Sequence, residues 1–356
     1  MTKNHNNFLN FAFHIAEKNL GKTKLNPSVG SVVVKNGEVI SSAITSLNGR
    51  PHSEFNALNN LKNCSGATLY TTLEPCTHKG KTPPCVSIII KKKIKKVFYA
   101  FEDPDTRTYK KAKKVLNLKG IKTKLIHNKK YDKFYKSYFL NKKENFPLID
   151  AKLAISKDYY TINKNSQWIT NNRSRKVGHL LRSKYDCIIS TSSSINKDNS
   201  LLNCRINGLN NSKPDLIIID RYLKLKKRLN LFNISNKRKT FVVTLSNDRK
   251  KISFLQKRKI KIIKINQLKN KTDFKILFRK IFLKVGGRVL IETGLTFLNE
   301  LFRFNLVNDL YIFLSSTKLK KKGYNNNKIN FIKKIKLKNM VNVNLNNDKL
   351  FRIKIK

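Results

Sequence analysis

Phe8, Phe11, Ala12, Ile15, Ala16 and Leu20 recur at helical spacing, so the chain is expected to open with a helix. The apolar run 29–34 predicts a buried strand, Asn36-Gly37 a tight hairpin turn, and 39–44 the returning strand. A helix is expected from Ser53, with Ala57, Leu58 and Leu61 inward, and then a β-rich stretch, 67–73, that ends in a loop at Pro75-Cys76. Pro83-Pro84 suit the first turn of a helix over 85–90. A strand at 97–101, a helix at 109–118 and a strand at 121–126 complete the order α-β-β-α-β-α-β-α-β, that of an α/β unit.

Periodicity weakens into Lys, Asn and Tyr over 127–146, and Pro147 punctuates it. The expected organisation is therefore a first domain, 1–127, a linker, 128–147, and a second domain, 148–356. In the second, strands are predicted at 148–155, 187–190, 216–220, 241–245, 261–265, 289–292 and 310–314, with helices at 173–182, 273–283 and 296–304. That alternation implies a mostly parallel sheet covered by helices on both faces. From Lys318 onward the Lys/Asn-rich chain reads as antiparallel edge strands.

Composition changes this picture little. The 356 residues suit two domains. A charge of +55, from 76 Lys+Arg against 21 Asp+Glu, would ordinarily suggest a polyanionic partner. Here the lysines run from end to end beside abundant Asn and Ile, residues with A/T-rich codons, so an AT-rich genome of a host-restricted bacterium is the preferred explanation and no nucleic-acid partner is expected. No apolar stretch approaches the ~18 residues of a membrane span, and a cytoplasmic protein is expected. Five scattered cysteines argue against a disulfide framework.

Two segments carry candidate chemistry. A His at a helix start, in His52-Ser53-Glu54, and two thiols, Cys76 and Cys85, around the start of another helix supply three ligands of a tetrahedral zinc with its fourth position open. Zinc lowers the pKa of bound water to ~7, and Glu54 is placed to shuttle protons without ligating. Each residue alone would more often be structural: a helix-capping His, or a small buried Cys. Together H-x-E, P-C and a second Cys form the zinc-deaminase pattern. His78, in the loop between the thiols, is a weaker candidate, closer to a contact with substrate or solvent than to a ligand.

The spacing of the thiols discriminates further, because eight residues separate Cys76 from Cys85 where nucleoside and tRNA adenosine deaminases generally have P-C-x-x-C. The segments "NPSVGSVVV", "PHSEFNAL", "TLEPCTHKGKTPPC" and "FEDPDTR" resemble the deaminase half of the bifunctional riboflavin-biosynthesis deaminase/reductases. "LAISKD", "SQWIT", "HLLRSKYDCII", "LIIID" and "LIETGLTFLNELF" resemble the reductase half. The resemblance implies a cytidine-deaminase-like domain followed by a dihydrofolate-reductase-like domain, one Zn2+ per chain, NADPH, a small pyrimidine ribotide substrate and a homo-oligomer. It implies that His52, Cys76 and Cys85 hold zinc, that Glu54 is catalytic, and that Asn26 contacts the base. In the reductase it implies substrate contacts from Ser166, Arg182, Leu202, Arg205 and Glu292, the arginines being natural partners for phosphate. Cofactor contacts would come from Ala154, Trp168, Ser194, Asp198, Arg221 and the run Gly294, Leu295, Thr296, Phe297, Leu298, Asn299, Glu300.

One departure from the pattern lies in the first half, Ser53 where relatives commonly carry Ala, and the others fall in the second half. Ser156-Lys157-Asp158-Tyr159-Tyr160 stands where Ser-Leu-Asp-Gly-Arg is usual, the glycine expected after the strand at Cys187 is absent, and Arg221 replaces a small residue after Asp220. Two other readings therefore stand beside the bifunctional one: a deaminase with a decayed reductase domain, and a polynucleotide-binding or editing deaminase.

Overall fold

The first apolar run forms β1 (Gly30–Lys35), which turns at Asn36-Gly37 into antiparallel β2 (Glu38–Ile44). In the computed structural model residues 2–209, 214–235, 237–326 and 331–356 are described, and the chain divides into two units, Met1–Asn145 and Phe146–Lys356.

Side chains alternate across the first sheet. Strands β3 (Thr68–Thr71), β4 (Lys96–Tyr99) and β5 (Lys122–Leu125) run parallel to one another and extend it in the order β2-β1-β3-β4-β5. Val32, Val34, Tyr70 and Phe98 pack on one face with Leu9, Ala12 and Phe13 of α1 (Thr2–Ala16). Val33, Leu69 and Val97 pack on the other with α2 (Ser53–Leu58), α3 (Cys85–Lys91) and α4 (Lys111–Asn117). Helix α1 lies so close to the sheet that a Cβ on Gly30 would sit 1.9 Å from the Ala12 carbonyl oxygen, so only glycine fits.

The expected linker is different in the structure. Residues Lys129–Tyr131 form a 3-10 turn and Lys136–Glu144 form α5, with Tyr135 and Tyr138 buried in the first unit's core. Tyr131, Phe134, Tyr135, Tyr138 and Phe139 repeat at helical spacing within the Lys/Asn-rich stretch, and burial of this aromatic stripe holds the segment down.

In the second unit β6 (Leu148–Ile155), β8 (Cys187–Thr191), β9 (Asp215–Ile219), β10 (Thr240–Thr244), β11 (Ile260–Lys264), β12 (Arg288–Ile291) and β13 (Asp309–Leu314) are parallel, with antiparallel β15 (Lys349–Lys354) at the edge. Their order is β11-β10-β9-β8-β12-β6-β13-β15, while β7 (Ile162–Asn163) and β14 (Gly323–Tyr324) form a separate pair. Ile189, Ile217 and Val243 face a core that includes α9 (Lys271–Val285) and α10 (Leu295–Arg303). Ile188, Ile218 and Val242 face the opposite one, with Leu255 of α8 (Arg249–Lys257). Helices α6 (Asn172–Arg182) and α7 (Ser192–Asp198) complete the alternation around β8. Of the edge strands expected from Lys318, β15 and the two-residue β14 form, and part of that stretch, 327–330, lies outside the described residues.

Candidate active sites

Gly49 sets up the first site. Its φ is +91°, and a Cβ there would lie 2.4 Å from Asn26 Nδ2, so only glycine lets the chain turn beside Asn26 and run through Arg50 and Pro51 to His52. His52 is the extended N-cap residue of α2, which places Ser53 and Glu54 in the buried first turn. On the far side, β3 ends before Cys76, and Pro84 caps α3, whose first residue is Cys85.

These segments bring three donor atoms together. His52 Nδ1 lies 3.5 Å from Cys76 Sγ and 3.4 Å from Cys85 Sγ, and the three ligand atoms all lie within 4.8 Å of one another. Atoms at tetrahedral zinc's bond lengths of ~2.0–2.3 Å stand ~3.5 Å apart, so the donor set fits zinc in spacing as well as in softness. Electrostatics already favours a thiolate: the Cys85 side chain and then His52 hold the Cys76 thiol well below its usual value, while the same sulfur and burial push Cys85 up. The Cys85 backbone N–H also donates to Cys76 Sγ at 3.2 Å. The other ring nitrogen, His52 Nε2, is buried without a hydrogen-bond partner in the protein.

Glu54, only 3% exposed, faces the same cleft. Burial is the main force raising its pKa, against the pull of His52 and a 3.1 Å hydrogen bond donated by Ser53 Oγ. Ser53 Oγ also lies 2.8 Å from Ser31 Oγ, which donates to Thr71 Oγ1, so a buried hydroxyl chain from two strands ends at the carboxylate. Asn26 lines the cleft, and its Nδ2 donates to the Gly49 carbonyl at 3.1 Å.

Other cleft residues were not singled out by sequence reasoning. Glu74 accepts backbone N–H bonds from Asp103, Lys110 and Ala112, fastening the "FEDPDTR" loop to the end of β3. Asp105 takes both Arg107 and Lys142, which hold its carboxyl far below the usual range. His78 does not join the thiols; its Nδ1 lies 3.1 Å from Thr108 Oγ1. The clue to Glu74 and Asp105 was acidic residues in a chain that has only 21 of them.

The second site gathers at the carboxyl ends of parallel strands, where open α/β sheets place ligands. Glu292, just after β12, takes Arg182 Nε at 2.6 Å and Nη2 at 2.9 Å, and Lys152 Nζ lies 3.8 Å away. Burial opposes its charge, yet Arg182 and Lys152 hold it down to about 2. Arg182 also donates from Nη1 to the Asn203 carbonyl, so Nε, Nη1 and Nη2 each bond a protein acceptor. Arg205 is exposed and stands 3.4 Å from His179 Nε2, whose ring is kept neutral by burial and by Arg182, with a pKa lowered to about 4. Lys152 went unnoticed in the sequence, although a lysine between buried Ala151 and Leu153 was the available signal.

The remaining expected residues are dispersed around these strands. Ser194 Oγ accepts from the Gly294 N–H at 3.2 Å, joining the loops after β8 and β12. Gln167 Nε2 donates to the Asp198 carbonyl, and Trp168 N to Ser166 Oγ, so this exposed segment lies against the end of α7. Trp168 is 49% exposed with the Arg175 guanidinium over its ring, so it lies outside the core. Ala154 is half-buried on β6 and pairs with Phe313, and the Arg221 carbonyl accepts from Leu245 N–H. Leu202 takes φ +49° and its carbonyl accepts from Arg238. Within the expected cofactor run, Leu295, Phe297 and Leu298 face the core from the amphipathic α10. Thr296 is exposed and Asn299 and Glu300 half-buried, Glu300 pairing with Arg303. Tyr159, in place of the usual glycine, holds a φ of +66°, with Asn325 Nδ2 bonded to its carbonyl.

A buried His/Cys/Cys donor set beside a glutamate, followed by a parallel-sheet domain with a charged cluster at its strand ends, defines a zinc-type deaminase joined to a second catalytic domain. Residues 2–101 match the cytidine and deoxycytidylate deaminase zinc-binding region, and residues 147–320 match the RibD C-terminal domain. The riboflavin biosynthesis protein RibD of Aquifex aeolicus is 33% identical over 74% of this chain and 75% of its own, and that of Buchnera aphidicola 30% over 86% of each. Among solved structures, a deaminase/reductase of Thermotoga maritima is similar with TM-score 0.82 at 25% identity, and Acinetobacter baumannii RibD with 0.84 at 24%, each over 99% of both chains. The chain belongs to the RibD family of riboflavin biosynthesis enzymes, which join a zinc-dependent deaminase domain to an NADPH-dependent reductase domain. No helix among the described residues is long and apolar enough to cross a membrane.

Proposed function

We propose that the first domain removes an amino group from 2,5-diamino-6-(5-phosphoribosylamino)pyrimidin-4(3H)-one and that the second reduces the ribosyl group of the product, 5-amino-6-(5-phosphoribosylamino)uracil, to ribityl with NADPH. The Thermotoga maritima relative carries both activities in its name. The observation that carries the reading is the convergence of His52 Nδ1, Cys76 Sγ and Cys85 Sγ beside buried Glu54.

His52, Cys76 and Cys85 would hold the zinc, which when bound supplies a water ionised near neutral pH. Asn26, its Nδ2 anchored on Gly49, orients the base at the rim. Glu54, kept protonatable by burial, carries a proton to the ring nitrogen and then to the leaving amine; water is consumed and ammonia leaves. In the reductase Glu292, fixed by Arg182 and Lys152, binds the sugar, Arg205 takes the phosphate, and hydride passes from NADPH to the sugar C1. Ser166 and Leu202 complete the substrate side. Ala154, Trp168, Ser194, Asp198, Arg221, the Gly294 backbone, Thr296, Asn299 and Glu300 line the cofactor side. Composition supports a cytoplasmic setting in a bacterium of AT-rich genome, with a homo-oligomer as the working assembly.

Assays of ammonia release from the diaminopyrimidinone ribotide, then of NADPH oxidation, test the reading. Both activities are expected, and a chelator abolishes only the first. Ammonia release without NADPH oxidation means a decayed reductase; neither activity together with salt-sensitive RNA binding means a polynucleotide-directed protein.

A further inference from the structure

The three donors of the deaminase site come from two separate stretches of chain. His52 precedes α2, whereas both thiols flank the loop 77–84. A loop of that length between two ligands loses conformational freedom when both bind one ion, so something must hold it in place beforehand. Its first residues are tied to the "FEDPDTR" side: Thr77 Oγ1 donates to the Arg107 carbonyl at 3.0 Å, and His78 meets Thr108. Its far end is tied differently. Arg50, two residues before His52, donates from Nη1 to Thr82 Oγ1. Its Nη2 lies against Gly80, where a Cβ would be 3.1 Å away.

Arg50 also lines the cleft wall, and among the described residues no ion pair engages it, unlike Arg107 and Lys142, which share Asp105. Its guanidinium is thus free to serve as a strut. A planar fork can bond the Thr82 hydroxyl while lying over Gly80, which a point-like ammonium cannot do equally well.

We propose that Arg50 is a positioning residue that fastens the thiol-bearing loop to the His52 segment through Thr82, and so governs how readily the metal leaves. The proposal rests on the reading of His52, Cys76 and Cys85 as zinc ligands. Arg50 touches neither the donor atoms nor the reacting groups in this account. It acts by keeping Cys85 in register with His52 when the loop would otherwise swing away.

The test measures zinc transfer from the full-length, zinc-loaded protein to a chromophoric chelator, with hydrogen exchange of the 77–84 amides followed in parallel. Arg50→Ala is expected to speed zinc release about tenfold, the lower end of what loss of an outer partner costs a metal site. Thr82→Val, a change in a part-exposed loop, is expected to do the same. The double variant should release zinc no more than about twofold faster than either single variant, because both remove one interaction. Arg50→Lys should fall between wild type and Arg50→Ala, and loop amides should exchange faster in each variant. If the wild type holds no zinc, or His52→Ala keeps it, the ligand assignment itself fails. If zinc depends on His52 but leaves Arg50→Ala at the wild-type rate, or the two single effects multiply in the double variant, the strut is overturned while the ligand assignment stands.

Discussion

His52, Cys76 and Cys85 meet within 4.8 Å from a stretch of fewer than forty residues, whereas Lys152 in the middle of β6, Arg182 at the end of α6 and Glu292 just after β12 meet across a span of 140 residues. The first cluster is made of donors whose chemistry admits few replacements: a thiolate cannot be exchanged for a carboxylate without changing the metal preference. The second is an ion-pair network that fixes side chains for a ligand made largely of hydroxyls, phosphate and nicotinamide, groups that backbone and small polar residues can also hold. The departures from the resembled pattern follow the same divide. Tyr159 at φ +66° and the run Ser192-Ser193-Ser194 lie in the reductase, and the metal motif carries only the exchange at Ser53.

The largest effect that would expose this asymmetry is at Glu54. Glu54→Gln is expected to lower deaminase kcat by about a thousandfold, within the range for a positioned general acid-base, while zinc content and NADPH oxidation stay at wild-type levels. Metal analysis and the two assays on one preparation check it. Loss of zinc would show that Glu54 holds the site together instead of moving protons.

Next in size is the ion-pair cluster. Arg182→Leu removes the bidentate partner of a buried carboxylate and should destabilise the second unit by about 3 kcal/mol, read from denaturant unfolding followed at Trp168, the chain's one tryptophan. The same cluster gives a pH signature. Glu292 titrates at about 2 instead of its ordinary 4.5, so it is depressed in the folded protein. Its contribution is therefore complete above pH 4.5 and disappears as the pH falls from there towards 2, a loss of about 3 kcal/mol by linkage. In Glu292→Gln the acid-induced loss over that window should be correspondingly smaller. Arg205 stands outside the cluster, so Arg205→Gln should raise KM for the phosphorylated substrate about tenfold, as loss of a charge-assisted bond implies, and leave unfolding unchanged.

How much of this was legible in the sequence follows the same divide. The strands announced themselves through apolar runs, and the zinc donors through residue type and spacing. The helix Lys136–Glu144 did not, because its aromatic stripe is diluted by lysines that lie on the solvent side. Helix α8 was hidden in the same way, with Leu255 as its one fully buried residue. In the reductase, spacing could not say that Arg182 bonds Glu292 and Asn203 while Arg205 stays exposed. Nor could it separate the inward positions of α10, Leu295, Phe297 and Leu298, from exposed Thr296, since a family pattern marks a segment and burial depends on which way each residue faces.

The smallest effect bears on the one exchange within the metal motif. Ser53, where alanine is common in the family, donates to Glu54 Oε2 and receives support from Ser31 and Thr71, all three hydroxyls being buried. A hydrogen bond to a carboxylate that must give and take a proton is a mixed benefit: it orients the oxygen but also stabilises the charged form. Ser53→Ala removes the bond and leaves Ser31 with Thr71 as a partner, so little is stranded. With a typical bond worth about 1 kcal/mol, deaminase kcat should change by less than about fivefold, and zinc release should be unaltered. A larger fall in kcat with zinc retained would mean that this chain has come to depend on its hydroxyl chain, and that drift has reached the better-kept of the two sites.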